Sequence, residues 1–269
     1  MIVAVERADD QRISDYHHVG DAEWLRASGL FVAEGRLVVR RLLESGRFPV
    51  RSILLTPAAL QAFGAALDTH APVFVAPPEV VDAITGFNFH RGCLALAARP
   101  ADDESSGRFL ESRLLLALEG VGNPDNVGGL FRVASAFDVD GILLDPATAD
   151  PFYRKAVRTS MAAVLRVPFE RALPWPDALG DYRDDGFQVV ALTPRHGSQP
   201  LADFARTAQR RLIVMVGAEG AGLSEAALAA ADVRVRIPIA DDVDSLNVVV
   251  AAGIALAFVA RTFRSAFPI

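Results

Sequence analysis

The chain has 269 residues, 51% of them apolar, which is enough to bury a core in one large or two ordinary domains. No apolar run reaches the ~18 residues of a membrane span, the first residues do not form a secretory signal, and the single cysteine, Cys93, excludes an internal disulfide, so we expect a cytoplasmic protein without a membrane partner. The net charge of −6 weighs against a polyanionic partner, but it does not describe any one face, and the basic residues are nearly all arginines, which bind phosphate in a bidentate way.

Within the first hundred residues, a polar leader is followed by helix-like and strand-like segments that alternate. Phe31–Ser45 has apolar residues at helical spacing and predicts one helix. The later segments are strands at Arg51–Leu55, Val73–Ala76 and Cys93–Ala97 and helices at Ala58–Leu67 and Pro78–Ile84. This pattern predicts a small α/β domain over residues 1–99, and the polar stretch that follows predicts a linker over residues 100–112.

The alternation continues through residues 113–269, which we interpret as a second domain. Strands are predicted at Leu114–Leu118, Gly141–Leu144, Gln188–Leu192, Leu212–Val216 and Val233–Pro238. Helices are predicted at Val127–Phe137, Tyr153–Thr159, Ala178–Arg183, Ser224–Ala231 and Leu246–Arg264. Continuous apolar strands separated by helices predict a mostly parallel sheet covered on both faces.

Common catalytic signatures are missing from the sequence. It has no G-x-G-x-x-G, no phosphate-binding G-x-x-x-x-G-K-[ST] loop, no G-x-S-x-G, and neither H-E-x-x-H nor C-x-x-C. A nucleotide-dependent oxidoreductase on an ordinary parallel sheet is therefore disfavoured, and we expect no metal site. The acidic residues Asp241, Asp242 and Asp244 are interpreted as a solvated loop.

Three segments of the second domain place glycines and polar residues just after apolar strands, where open α/β sheets bind ligands. They are Leu118–Arg132, Val214–Leu223 and Val235–Ala252. Each segment also has a purely structural interpretation. These are a helix N-cap at Asp125 or Asn126, a tight loop with an exposed Glu219, and an N-cap at Asp244 or Ser245.

Arg132 is the residue that capping does not explain. It follows Leu130 and Phe131 and precedes Val133 and Ala134, and an arginine in so apolar a helix needs a partner. A salt bridge within the core and a functional role are equally compatible with this position.

Taken in order, the three segments resemble the motifs of the SpoU/TrmH family of RNA ribose 2′-O-methyltransferases, in the SPOUT superfamily. The motifs resemble N-x-G-x-x-x-R, G-x-E-G-x-G-L and I-P-M-x-G-x-x-x-S-L-N-V-S. The matching residues are Asn126, Gly128 and Arg132 in the first, Gly217, Glu219, Gly220, Gly222 and Leu223 in the second, and Ile237, Pro238, Ser245, Leu246, Asn247 and Val248 in the third. The third motif departs from the pattern at Ile239, Asp241 and Val249.

The resemblance implies a knotted catalytic domain. In the family, the C-terminal part of an α/β sheet forms a deep trefoil knot whose loops hold S-adenosylmethionine. By motif position and proximity, the implied cofactor contacts are Leu192, Thr193, Gly217, Gly220, Ile237 and Leu246. The implied catalytic residues are Arg132, Asn126, Glu219, Ser245 and Asn247. Arg132 would activate the ribose hydroxyl, either by stabilising the alkoxide or as a general base, and no metal is required.

The resemblance also implies RNA as substrate and a homodimeric assembly. Phe31–Gly35, a following helix and Ser52–Thr56 are similar to the family's N-terminal domain, which is itself similar to small ribosomal RNA-binding proteins. We expect Arg36, Arg40 and Arg91 to face RNA, and we expect ribosomal RNA to be the substrate. The alternatives are transfer RNA as substrate, or a relative that binds RNA but has lost catalysis.

Overall fold

The computed structural model describes residues 1–64, 67, 69–86, 92–100, 109, 111–240 and 242–263. In chain order, the strands are β1 (Ile2–Ala4), β2 (Leu30–Glu34), β3 (Val50–Leu55), β4 (Val73–Val75), β5 (Cys93–Ala98), β6 (Leu114–Glu119), β7 (Gly141–Leu144), β8 (Phe169–Arg171), β9 (Gln188–Leu192), β10 (Gln199–Pro200), β11 (Leu212–Gly217) and β12 (Val233–Arg236). The α-helices are α1 (Ala22–Ala27), α2 (Arg36–Ser45), α3 (Pro57–Phe63), α4 (Pro78–Thr85), α5 (Pro124–Ala136), α6 (Arg154–Thr159), α7 (Leu179–Asp184), α8 (Leu201–Thr207), α9 (Glu225–Ala230) and α10 (Val248–Phe263).

The chain divides into two compact units. The N-terminal unit comprises Met1–Ala101 together with Pro151–Arg166, and the C-terminal unit comprises Asp102–Asp150 and Val167–Ile269. The sequence places residues 151–166 in the second domain, whereas their contacts group them with the first. The predicted roles of the two domains stay predictions.

The N-terminal unit is built on a mixed sheet. Its described strands follow the order β1-β4-β3-β5-β2, parallel between β1, β4 and β3 and antiparallel where β5 pairs with β3 and β2. Helix α6 packs on β2, where the Phe152 ring lies 5.0 Å from that of Phe31. The predicted α/β class is confirmed for this unit.

The C-terminal unit is built on a parallel sheet. Its described strands follow the order β10-β12-β9-β11-β6-β7-β8, and every pairing among them is parallel. The central strands are buried along their length, as expected for a parallel sheet covered on both faces. The predicted α/β class with a mostly parallel sheet is confirmed here too. Among the described helices, none combines the length and apolar character that a membrane crossing requires.

Two predictions for the N-terminal unit are wrong. Phe31–Ser45 is not one helix, because Leu30–Glu34 forms a fully buried strand and the chain turns at Gly35, whose φ is 97°. A short buried apolar run cannot be assigned to helix or strand by periodicity alone. The leader is not simply polar either. Its 3-10 helix Gln11–His18 buries Ile13 and Tyr16, and the Tyr16 hydroxyl lies 2.9 Å from Ser52 Oγ.

Candidate active site

A cavity of about 620 Å³ lies at the carboxyl edge of the C-terminal sheet. Strands β12, β9 and β11 are neighbours in the sheet, so the loops that follow them meet at one edge. These loops contribute residues from 192–194, 217–222 and 237–248 to the cavity wall. All the predicted cofactor contacts line it, namely Leu192, Thr193, Gly217, Gly220, Ile237 and Leu246.

The glycines of the second motif shape the loop between β11 and α9. A Cβ on Gly217 would lie 2.2 Å from the carbonyl carbon of Gly222, because the loop folds back on itself there. The Gly222 amide donates to the Ala218 carbonyl oxygen at 2.9 Å. Gly220 and Gly222 have φ of 85° and 69° but open space at the Cβ position. The backbone conformation of the loop therefore requires glycine at 220 and 222, whereas Gly217 is required because the Gly222 backbone packs against it.

A polar network joins the three motifs beside this cavity. Asn247 Nδ2 donates to Glu219 Oε1 at 2.8 Å and to Asn126 Oδ1 at 3.4 Å. Asn126 is buried near the start of α5, while Glu219 and Asn247 are exposed and line the cavity. Ser245, the fourth predicted polar residue, also lines it. The structure thus brings together four of the residues predicted to be catalytic.

The helices that carry these residues are capped by asparagines. Asn123 accepts from the Asp125 amide at the start of α5, with Pro124 at the first helical position. Asn247 Oδ1 accepts from the Val249 amide at 2.9 Å at the start of α10. The sequence-based assignments of the caps to Asp125 or Asn126 and to Asp244 or Ser245 are therefore wrong. Asn247 caps the start of α10 and also donates to Glu219, so one side chain links this helix to the loop between β11 and α9.

Arg132 lies apart from this network. It is exposed on α5 and does not line the cavity. Within the described part of the chain, its guanidinium makes no hydrogen bond or ion pair, so of the two alternatives left open by the sequence the core salt bridge is not the one found there. Apolar neighbours in sequence do not place a residue on the buried face of a helix, because successive residues point about 100° apart.

Sequence reasoning missed Glu119, which ends β6 and is 9% exposed. Its carboxylate accepts from Trp175 Nε1 at 2.8 Å, from the Ser224 amide at 2.8 Å and from Ser224 Oγ at 2.7 Å. Ser224 is the N-cap of α9 and directly follows the glycine loop. The signal that could have found Glu119 is an acidic residue at the end of an apolar strand, at the edge where ligands bind.

Two of the three arginines predicted to face RNA lie on α2 of the N-terminal unit. Arg36 and Arg40 are exposed and one helical turn apart, and Arg91 lies outside the described residues. The acidic loop residue Asp241 is also outside them. Over the part of the chain that is described, no three His, Cys, Asp or Glu side chains form a group that could hold a metal ion.

Comparison with known proteins identifies the family to which the chain belongs. The model of the SpoU rRNA methylase family matches residues 113–257, more than half of the chain and the whole of the cavity wall. The chain belongs to the SpoU rRNA methylase family. The relatives it matches include an uncharacterized tRNA/rRNA methyltransferase of Mycobacterium tuberculosis, 38% identical over 260 residues that cover 94% of this chain and 89% of that protein.

Solved structures of RNA methyltransferases share the fold. An AdoMet-bound rRNA methyltransferase from Sinorhizobium meliloti is 25% identical with a TM-score of 0.82, covering 98% of this chain and 99% of that one. A TrmH-family protein from Porphyromonas gingivalis is also 25% identical, with a TM-score of 0.78 over 94% of this chain and 98% of its own. The family predicted from the three motifs is confirmed.

Proposed function

We propose that this chain transfers a methyl group from S-adenosylmethionine to a ribose 2′-hydroxyl of structured RNA, with ribosomal RNA favoured over transfer RNA. The observation that carries the proposal is the cavity at the carboxyl edge of the C-terminal sheet, beside which Asn126, Glu219 and Asn247 are joined by hydrogen bonds. Family membership and the likeness to an AdoMet-bound rRNA methyltransferase support it.

The cavity suits S-adenosylmethionine in size and lining. Its volume of about 620 Å³ lies within the range of small-molecule sites. Leu192, Ile237 and Leu246 supply apolar surface for a planar base, and the glycine loop exposes backbone amides and carbonyls for polar groups. Thr193, Gly217 and Gly220 complete the set of residues that would hold the cofactor. When bound, S-adenosylmethionine supplies a methyl group already activated by a sulfonium, so the reaction needs no metal.

The protein's part in the reaction is to orient the ribose and to favour loss of its proton. The 2′-oxygen forms a bond to the methyl carbon as the carbon–sulfur bond breaks, and the hydroxyl proton leaves. A guanidinium stays protonated in proteins and is a poor base, so we assign Arg132 to a neighbouring phosphate and to the developing alkoxide. Its exposure on α5 supports this role. Asn126, Glu219, Ser245 and Asn247 would position the ribose and the loops.

We assign the family's trefoil knot and homodimer to the C-terminal unit. The segment after β12 returns to the loop after β11, as a knot would require, and α10 packs on α5 and α8. One face of α10 carries Val250 and Phe258, which are 51% and 43% exposed, with Ile254 between them. Large exposed apolar side chains at this spacing suit a second copy of the chain.

We assign RNA capture to residues 1–99, joined to the methyltransferase domain by residues 100–112. Exposed arginines on α2 support this assignment, because a phosphate backbone is recognised mainly by positive charge. Arg91 belongs to the same proposal. The alternative, an RNA-binding relative without catalysis, is disfavoured because Arg132, Glu219 and Asn247 are all retained.

The test is methyl transfer to RNA from cells that lack the gene. Purified protein and S-adenosylmethionine labelled in the methyl group should modify ribosomal RNA at a 2′-oxygen that is unmethylated only in those cells. Methylation confined to transfer RNA would overturn the substrate assignment. Cofactor binding without transfer to any RNA would instead favour the inactive relative, and an absence of cofactor binding would overturn the proposal as a whole.

A further inference from the structure

A second cavity lies wholly within the N-terminal unit, and the methyl-transfer chemistry does not use it. Its volume is about 470 Å³, enough for a nucleotide-sized group. The wall is formed by the end of β2, the first turns of α2, the end of α3 and Met161.

The charge around this cavity is positive although the chain as a whole is acidic. Arg36 and Arg40 line it, are exposed, and lie on one side of α2 one turn apart. Glu34 also lines it, but its buried carboxylate is paired with Arg154 at 3.2 Å and Arg158 at 3.7 Å. Among the described residues that line the cavity, the one negative charge is thus neutralised by two arginines, which leaves the two α2 guanidinium groups to attract an anion.

Apolar side chains lie beside these two arginines. Leu37 is 40% exposed at the cavity, Met161 is half-buried there, and Phe63 is buried in the wall. An apolar side chain beside two cations offers a surface on which the face of a nucleotide base can pack. A nucleotide fits both features, because its phosphate is anionic and the face of its base is apolar.

The turn that carries Met161 is strained. Met161 and Ala162 both have positive φ, 53° and 67°, in a conformation that costs about 1–2 kcal/mol for each residue with a side chain. Hydrogen bonds hold it, since Arg41 donates to the Met161 carbonyl and the Met161 amide donates to the Arg158 carbonyl at 3.0 Å. Strain of this kind persists where the surroundings fix it, and it clusters at binding sites. Here its effect is to fix Met161 against the cavity.

We infer that this cavity binds one unstacked nucleotide of the RNA substrate, with its phosphate on Arg36 and Arg40 and its base against Leu37 and Met161. The inference rests on the proposed function for the identity of the ligand as RNA, and it extends that function by giving the N-terminal unit a site for unpaired RNA. A site of this kind selects a loop or bulge, because a base within a duplex cannot leave its stack without cost.

The test compares two double variants of the full chain. The probes are a short fluorescein-labelled oligouridylate and the duplex that it forms with oligoadenylate, followed by anisotropy over a range of salt concentrations. Arg36→Ala with Arg40→Ala should weaken binding of the single strand at least about tenfold and reduce the salt slope by about 0.7 for each phosphate that is no longer neutralised. Arg7→Ala with Arg12→Ala is the matched control, because it removes the same charge from exposed positions of the same unit.

A third variant separates base recognition from simple attraction of charge. Leu37→Ala should weaken binding of the single strand by about tenfold, leave its salt slope unchanged and leave duplex binding unaffected. Equal losses in the two arginine pairs would overturn the inference, as would a Leu37→Ala protein that binds the single strand like wild type. Calorimetry with S-adenosylhomocysteine and circular dichroism should give wild-type values for every variant. Failure of the proposed function would appear separately, as absent methyl transfer by the wild-type protein.

Discussion

Replacing Glu119 with glutamine should loosen the glycine loop without disturbing the sheet. The wild-type carboxylate accepts three hydrogen bonds, two at Oε1 from Trp175 Nε1 and Ser224 Oγ and one at Oε2 from the Ser224 amide. An amide side chain has only one acceptor oxygen, and its NH₂ group must then face an N–H donor in either orientation. At least one partly buried N–H, from Trp175 or Ser224, is left without an acceptor in the Glu119→Gln variant.

The size of the effect follows from those bonds. A hydrogen bond to a charged group contributes about 1.5–3 kcal/mol, and an unsatisfied buried donor costs about 1–3 kcal/mol. We therefore expect the free energy of unfolding to fall by about 2–3 kcal/mol. Ser224 directly follows the loop, so part of this effect should appear in cofactor binding, as an affinity for S-adenosylhomocysteine about tenfold weaker, which corresponds to about 1.4 kcal/mol.

The assay can use Trp175 itself as the reporter. The chain has two tryptophans, so a Trp24→Phe background leaves Trp175 as the only fluorophore of its kind. Guanidinium unfolding and calorimetry would be measured on Glu119→Gln and on the control Glu225→Gln. Glu225 begins α9 but its side chain is 77% exposed, and its ion pair with Arg195 should contribute at most about 1 kcal/mol. If both variants unfold at the same denaturant concentration and bind cofactor equally, Glu119 does not hold the loop.

Four further predictions concern α5 and α10. The free energy of unfolding of Arg132→Ala should lie within about 0.5 kcal/mol of wild type, because the side chain is exposed. Its rate of single-turnover methylation should nevertheless fall by a factor of about 10²–10³. A near-normal rate would contradict the catalytic role of Arg132. Gly129→Ala should lower the free energy of unfolding by about 1–3 kcal/mol, since its Cβ would lie 2.7 Å from Val249 Cγ2. Gly253→Ala should raise the free energy of unfolding by up to about 1 kcal/mol, because its Cβ would lie 3.6 Å from Val133 Cγ1, at ordinary contact distance. Equal shifts of the two glycine variants in thermal melts would contradict the packing argument. Phe258→Glu should convert the proposed dimer into a monomer in light scattering; a dimeric variant would place the interface elsewhere, and a monomeric wild type would contradict the dimer itself.

The strands of the parallel sheet could be predicted because each is a continuous apolar run between polar turns. Strand β11 is predicted to within one residue, and so is β6. Strands β8 and β10 span three and two residues and lack such a run, so their local sequence carries no signal. The pattern at Phe31–Ser45 indicates one helix because its strand half and its helix half are both apolar, although Gly35 marks the break between them.

The candidate site divides along similar lines. Glycines and asparagines after apolar strands identify the cavity wall, because ligands bind at the carboxyl edge of a parallel sheet, where glycine permits close approach of the backbone and asparagine supplies polar groups. Whether Arg132 is buried or exposed depends on which face of α5 packs on the rest of the unit, and the local sequence does not determine that face. The position of Glu119 at the end of an apolar strand could be noticed in the sequence, but its hydrogen-bond partners could not, because they are 56 and 105 residues away in the chain. Such pairings exist only once the sheet has brought β6 beside β11.

The segment Pro151–Arg166 explains why the bounds of the family match differ from the bounds of the two compact units. It lies inside the stretch that matches the SpoU model, yet its contacts are with the N-terminal unit. Glu34 is 4% exposed, and an unpaired carboxylate at that depth would be strongly unfavourable. Arg154 and Arg158 supply the compensating charges from this segment, so the first hundred residues alone would leave Glu34 without them. A stretch of methyltransferase sequence is therefore a structural part of the N-terminal unit, and the two units cannot be separated by cutting the chain once.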